Sequence, residues 1–590
     1  MKTIKIIIIS LLVGLNLTSC DFLEKDPTYT TPENYFKNEA DAASWLTGTY
    51  AILGQSSFYG NEFLYLVGGD DLGHYGGANR GPNKSGLICN NANTSDPTVA
   101  ALWSTLYAGV NRANIFLENI DAVPDINDDT RKQYKAEARF LRAFYYFTLV
   151  ECWGDVPFKT TSTEDAYNLS IPRTDKQTIY DFIIKEMYGS AEDLKSAQEL
   201  NYLPGRVSKS AAWGMLARVY MFRAGEPKRD KEVGLANSTT SAEITEYFKK
   251  ASYYAQLVKN EGHSLTAKYW DFFIDICSDK YNTALNKDGA KANESIWEVE
   301  FAGNRSTDVR AEGRIGNIIG IQGKDLSSKA SITGKGDPGY AYAFIWNTPK
   351  LLELYEANGD IDRCNWNIAP FTYTQSAGEG TPVDGREFVK GKRDEVEQQY
   401  WNQSFSYGKT DPGSTYGDRE SKNDANKNRN RAAAKYRREY EADKKSKNDT
   451  SINFPLLRYS DILLMIAEAE NEVNHGPNDL AYECINAVRE RAGINKLAAN
   501  LDETGFRKAI KDERAMELCF EYTRRFDLIR WGDYHKLMQE QVDKAQADES
   551  WKFGTNVYTY FNIPKSYNYF PIPANEIGSN GAIKTNNPGW

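Results

Sequence analysis

The sequence predicts a mainly α protein: helix pairs of the tetratricopeptide type joined to an irregular, loop-rich region with a few short strands. Three observations carry that prediction. Helical periodicity recurs through residues 31–260 and again through 451–590, with short linkers between several segments. Between 261 and 450 the periodicity fades, while Gly, Asn, Tyr and Trp become frequent. Inside that block Ile296-Trp297-Glu298-Val299-Glu300-Phe301 alternates as a strand does. No clean 34-residue repeat is visible, so the solenoid reading rests on tandem helices rather than on a repeat signature.

Residues 1–19 read as an address. Lys2 and Lys5 form a positive start, and residues 6–17 are an apolar run too short to cross a bilayer of about 30 Å as a helix. Leu17-Thr18-Ser19-Cys20 then looks like a bacterial lipobox, which makes Cys20 the expected lipid-bearing first residue of the mature chain. Residues 20–30 follow as an extended tether. Thr31-Pro32-Glu33 sets a helix start: a hydroxyl cap, Pro at the first position and a carboxylate at the dipole's positive end. The helical stretch runs on through Trp45, Tyr50 and Leu53.

Residues 66–86 are too rich in Gly, Asp and Asn for a helix and read as a polar loop. Leu102, Leu106, Val110, Ala113 and Leu117 then recur at helical spacing, and Pro124 closes the segment. Residues 131–153 are the clearest helix. Tyr134, Ala138, Leu141 and Tyr145 line one stripe, with Phe140, Phe144 and Phe147 on its flank. A helix apolar over so much of its girth should be central. Gly154 stops it and Pro157 forbids resumption. Further helices are expected at 176–198, 208–222, 243–259, 455–474, 478–491 and 506–531. The run 417–450 mixes Lys, Arg, Asp, Glu and Asn and reads as a solvated surface segment. Pro571 and Pro573 disfavour helix in the tail.

Composition narrows the chemistry. The chain has 590 residues and a formal charge of -10, which argues against nucleic acid as a partner. With only 4 His there is little for a His-rich metal site or a His general base. The 37 Tyr, 26 Phe and 12 Trp stand out: rings with polar tips suit half-buried helix contacts and sugar-stacking surfaces equally well. Cys89, Cys152, Cys277, Cys364, Cys484 and Cys519 are widely spaced, and those within helical patterns read as buried free thiols.

Glu513, Glu517 and Glu521 fall on one helix face, and paired carboxylates are the tool of glycoside hydrolysis. Arg514, Arg524, Arg525 and Arg530 lie close by, so an ion-pair lattice fixing helix packing is the favoured reading. No serine-nucleophile elbow, zinc-protease motif or phosphate loop is present. Asp70, Asp71 and His74 are a weak metal signal. A loop bearing them with Tyr75, Asn79 and Arg80 is better suited to hydrogen-bonding a polyhydroxylated ligand.

Several segments in order resemble one family: the lipobox with DFLEKDP at 21–27; LWSTLYAGVNRAN at 102–114; AEARFLRAFYYF at 136–147 with GDVP at 154–157; LRYSDILLMIAEAE at 457–470; ERAMELCFE at 513–521 with RFDLIRWG at 525–532; and FPIP at 570–573 with NPGW at 587–590. Together they make the chain similar to SusD/RagB-type nutrient-binding lipoproteins of Bacteroidetes. The resemblance implies a right-handed superhelical scaffold of tetratricopeptide-like helix pairs packed against a variable region. That divides the chain into a helical part at 31–260, a ligand-facing variable part at 261–450 and a helical part with an aromatic tail at 451–590. It further implies a lipid anchor in the outer membrane, a body facing outside the cell, and a TonB-dependent β-barrel transporter as partner. Its ligand would be a glycan or a peptide, bound without chemistry and without a cofactor. By analogy with starch-binding members, Asp71, Tyr75 and Arg80 in the first loop and Tyr340, Tyr342 and Trp346 in the middle region are the expected ligand contacts. The competing reading of the rings at 340–346 is that they pack beneath a loop.

Overall fold

The structure is a computed structural model that describes residues 35–64, 69–75, 90–163, 170–301, 313–321, 341–369, 431–441, 449–548, 551 and 560–590, with backbone alone at 371–373 and 403–405. Cys20, Arg80 and Tyr340 lie outside the described residues, as do the lipobox, the tether and the helix start at Thr31.

Helices dominate. The first part contains α1 (Glu39–Tyr50), α2 (Pro97–Asn119), α3 (Asp128–Trp153), α4 (Lys176–Asp193), α5 (Lys209–Glu232) and α6 (Ser241–Lys259). The middle adds α7 (Tyr269–Cys277), α8 (Pro349–Asn358) and α9 (Ile361–Asn367). The last part holds α10 (Tyr459–Asn474), α11 (Asp479–Arg491), α12 (Glu503–Leu518), α13 (Thr523–Trp531) and α14 (Tyr534–Ala547). Most start where a side-chain acceptor meets the orphan amides of the first turn. Asn38, Asp96, Asn127, Asp175, Ser208, Asn478 and Asp502 do this for α1 to α5, α11 and α12. Thr240 and Glu243 close a reciprocal capping box on α6.

The helices from α2 to α6 pack each on the next, and α6 packs on α10, which packs on α11. In this succession α3, α5 and α10 are buried over much of their length, whereas α4, α6 and α11 keep a wet face. That is the tetratricopeptide-like layering the tandem helices predict. Strands are few and short: β1 (Gly73–Tyr75), β2 (Val156–Pro157), β3 (Arg173–Thr174), β4 (Ser295–Val299), β5 (Ile345–Asn347), β6 (Phe371–Tyr373), β7 (Gln403–Phe405) and β8 (Phe454–Arg458). They form antiparallel pairs β1–β5, β2–β3, β4–β8 and β6–β7.

Several expectations need correction. The helix expected to end at 222 runs on to Glu232, through Gly225 and Pro227. Gly225 is required there: a Cβ would lie 2.4 Å from the Cβ of Arg530 and 2.5 Å from its carbonyl oxygen, so α13 packs directly on the α5 backbone. The helix expected from 455 starts at Tyr459, because Phe454–Arg458 pairs with β4 instead. The single helix expected at 506–531 is two. Phe520 at φ 61° and Tyr522 at φ 78° adopt left-handed backbone between α12 and α13, and both rings are buried. The middle block, where helix patterns fade, nonetheless holds α7, whose residues are buried except for half-buried Asp271 and therefore show almost no wet face to mark a period. In the supposedly solvated run at 417–450, the described residues 431–441 are buried, with Lys435, Arg437 and Arg438 among the core side chains.

Candidate functional site

β1 and β5 bring the polar first loop against the middle region. Gly73 lies opposite Asn347, His74 opposite Trp346 and Tyr75 opposite Ile345. Gly73 allows this approach, since a Cβ there would sit 3.0 Å from the Phe520 ring and 3.1 Å from Ile345. On the other edge of β5, the Asn347 N–H donates to the Arg431 carbonyl at 3.0 Å and the Ala433 N–H donates to the Ile345 carbonyl at 2.9 Å. Trp346 pairs with Ala432 across this edge. Trp346 therefore stands on the middle one of three extended segments, with its backbone held from both sides.

Exposure alternates along this stretch. Ala341, Ala343, Ile345 and Asn347 are buried, whereas Tyr342, Phe344 and Trp346 are half-buried. Tyr342 stacks on Phe344 with centroids 4.8 Å apart and planes 8° apart. Phe344 in turn stacks on Tyr75 at 5.6 Å and 26°. Of the rings singled out from two remote segments, Tyr75 and Trp346 thus stand on paired strands and Tyr342 just before β5; Tyr75 is buried, against the expectation of a ligand contact, because Phe344 and Tyr342 are stacked over it. Phe344 is the ring that sequence reasoning missed, although the spacing Tyr342, Phe344, Trp346 already shows the period of two.

Asp71 does different work. Its buried carboxylate is gripped by Arg524 through Nε at 2.7 Å and Nη2 at 2.8 Å, and by Lys350 Nζ at 2.8 Å. Burial alone would raise its carboxyl, but Arg524 and Lys350 outweigh burial and hold it well below the usual carboxylate range. The Thr348 hydroxyl donates to the Asp71 carbonyl at 2.6 Å. Asp71 so fastens the start of β1 to α13 and to the start of α8, which leaves it no oxygen for a sugar. Asp70 takes the N–H groups of Leu72 at 2.8 Å and Gly73 at 3.3 Å. Burial, with the charge of Asp71 beside it, pushes the Asp70 carboxyl up to about 8. Burial pushes the His74 imidazole down to about 4, so it is neutral at pH 7. Among the described residues no group of three or more His, Cys, Asp and Glu is placed to hold a metal ion.

The glutamate stripe on α12 is a buried lattice. Glu513 receives Arg363 at 2.7 Å and Arg489 at 2.8 Å. Glu517 receives Arg363 at 2.9 Å, Arg458 at 2.6 Å, and Arg491. Glu521 receives Lys435 at 2.5 Å and Arg458 at 2.6 Å. Both oxygens of each carboxylate are engaged, and none faces an open cleft as a hydrolase would require. Cys152, Cys277, Cys364, Cys484 and Cys519 are free, buried thiols. Two concavities, of about 250 and about 590 Å³, are lined by helical-scaffold and neighbouring loop residues, none of them from β1 or β5. Among the described residues no helix is long and apolar enough to cross a membrane.

Comparison with known proteins agrees with this architecture. Residues 293–590 match the family model described as the SusD family, and residues 21–221 match one described as starch-binding, associating with the outer membrane. SusD-like protein P25 of Formosa agariphila is 27% identical, over 99% of this chain and 98% of its own length. The crystal structure of a SusD homolog from Bacteroides thetaiotaomicron superposes with a TM-score of 0.74 at 25% identity, covering 96% of this chain and 100% of that one. A laminarin-binding SusD-like protein shares the fold with a TM-score of 0.61 at 21% identity, covering 94% of this chain and 100% of that one. A family model that spans half the sequence, relatives matched end to end and a common fold together show that this chain belongs to the SusD family.

Proposed function

We propose that this chain is a cell-surface lipoprotein that binds a nutrient oligosaccharide on the β1–β5 aromatic face and delivers it to a TonB-dependent transporter in the outer membrane. The observation that carries the reading is the half-buried stacked pair Tyr342–Phe344, laid over buried Tyr75, with half-buried Trp346 two residues further along the chain. A pyranose presents apolar C–H faces to such rings and hydroxyls to the polar groups around them. The laminarin-binding member of the same fold supports a neutral glucan as the first ligand to try. The lipobox supports anchoring through Cys20, with the transporter as partner implied by the family.

Loss of one stacked ring should weaken binding about tenfold, since stacking contributes on the order of 1 kcal/mol and 1.4 kcal/mol is tenfold in affinity. Calorimetric titration of Trp346→Ala and Tyr342→Ala with laminarin oligosaccharides, beside a thermal melt, checks this. Unchanged affinity in both variants places the ligand elsewhere. A large fall in melting temperature makes the rings core, and binding of peptides in place of glycans overturns the glycan reading. Cys20→Ala should move the protein from the membrane to the soluble fraction, because lipid chains are what hold it there. A Cys20→Ala protein still in the membrane pellet after a high-salt wash would sink the anchor.

A further inference from the structure

We propose a second oligosaccharide-binding surface on the helical scaffold, along the seam between α4 and α6. It rests on the reading that this chain handles neutral glycans and adds a site remote in sequence from the β1–β5 sheet.

Both α4 and α6 pack on α5. On α4, Gln177, Asp181 and Tyr188 fall on one stripe, and on α6, Tyr247 and Tyr254 do the same. Asp181 and Tyr188 are two helical turns apart, as are Tyr247 and Tyr254, so the two stripes run in register. Residues of α5 tie them together. At one end the Arg223 guanidinium pairs with Asp181 at 2.8 Å, accepts nothing and donates to Gln177 Oε1 at 3.1 Å, and lies 4.7 Å from the centre of the Tyr247 ring. One turn away, Tyr220 reaches Tyr247 at 6.2 Å and stacks on Tyr254 at 5.8 Å with planes 8° apart. Tyr253 meets Tyr254 edge-on at 5.2 Å. Tyr188 lies within electrostatic reach of Tyr254 and Tyr253, and its own hydroxyl is hydrogen-bonded to Glu192.

The floor of the seam is packed, but its outer rings are not. Tyr220 and Tyr254 are buried, whereas Tyr188 is 49% and Tyr253 55% exposed. The polar groups point to an uncharged ligand. Asp181 neutralises Arg223. The chain's charge of -10 disfavours an anionic polymer. Two exposed rings are too small an apolar centre for a stable protein interface, which needs roughly 1,000 Å². Two helical turns span about 10 Å, the reach of a short oligosaccharide rather than one sugar. A scaffold site of this kind would hold one stretch of a long glycan while the sheet holds another, raising the chain's hold on polymers above that on short fragments.

The test is calorimetric stoichiometry on the full mature chain with laminarihexaose, cellohexaose, mannohexaose and xylohexaose as probes. The proposal expects two sites for a bound probe. Tyr188→Ala/Tyr253→Ala should weaken one of them at least about tenfold and leave the other, sensitive to Trp346→Ala, unchanged. Tyr188→Phe/Tyr253→Phe, which keeps the rings, should retain two. Both tyrosines are exposed, and a thermal melt confirms folding. One site in the wild type, lost in Trp346→Ala and untouched by the tyrosine pair, overturns the seam and leaves the sheet standing. One site lost only with the tyrosine pair supports the seam and overturns the sheet. Binding of none of the probes overturns both.

Discussion

Asp71 and Tyr75 sit on one short loop, and the fold buries both, Asp71 in an ion pair and Tyr75 beneath the Phe344 ring. Residue type could be read from the sequence; the side each residue faces could not, because it is set by Arg524 and Lys350, far away along the chain. The same turn carries a pH-dependent cost. Asp70 is buried beside Asp71 with its carboxyl raised to about 8 against an ordinary value near 4. Below about pH 4 both folded and unfolded chains hold this proton. As pH rises toward 8 the unfolded chain releases it first, so stability is lost by up to about 1.4 kcal/mol per pH unit. Asp70→Asn keeps an oxygen for the Leu72 and Gly73 amides and cannot ionise. It should therefore melt higher than wild type at pH 8, with the difference shrinking toward pH 5. An equal gain at both pH values, or none, would show that ionisation of Asp70 is not the cause.

Elements were legible where one face is wet and local chemistry marks the ends. The stripes of α2 and α3 and the caps of α5 and α11 fall at or near the predicted places. The pattern failed where the partner is remote. β1 is extended because β5 lies beside it, and Phe454–Arg458 because β4 does, and neither pairing leaves a mark in its own neighbourhood. It failed also where charge is buried. Residues 431–441 look solvated because they are rich in Lys and Arg, yet Lys435 reaches Glu521 and Arg438 reaches Glu441 inside the core. The break between α12 and α13 was hidden for a third reason. Cys519, Phe520, Glu521 and Tyr522 include no Gly or Pro, and the left-handed residues there are held by the packing of their own rings. Of the candidate contacts, the sequence offered Tyr75, Tyr342 and Trp346 but not Phe344, and the stack that joins Tyr75 to Phe344 and Tyr342 exists only once β1 and β5 have paired.

Buried ion pairs join elements across the whole molecule, and together they set its response to acid. Asp71 binds Arg524, Asp461 binds Arg514 and Arg218, Glu468 binds Arg530, and Glu517 binds Arg458, Arg491 and Arg363. Burial would raise each of these carboxyls, but the neighbouring guanidinium groups win and lower them all, Glu468 to about 2. A lowered folded value means stability that is present above the ordinary carboxylate range and lost as pH falls below it. Glu151 and Glu298 act in the other sense, raised by burial to about 8 and about 7, so their cost grows as pH rises above about 4.5. The melting temperature should therefore peak between roughly pH 4.5 and 7 and fall steeply from pH 4 toward pH 2. Glu517→Gln separates the lattice from general acid effects. It leaves three guanidinium groups short of a counter-charge, a loss of about 3–5 kcal/mol near neutral pH, and removes one titrating group from the acid limb. The variant should melt well below wild type at pH 6, approach it at pH 3, and keep the oligosaccharide affinity of the folded protein, because the lattice touches no residue of either proposed binding surface. A uniform offset across pH would show that Glu517 acts through shape rather than charge, and sugar release by the wild type that vanishes in the variant would bring back the hydrolase.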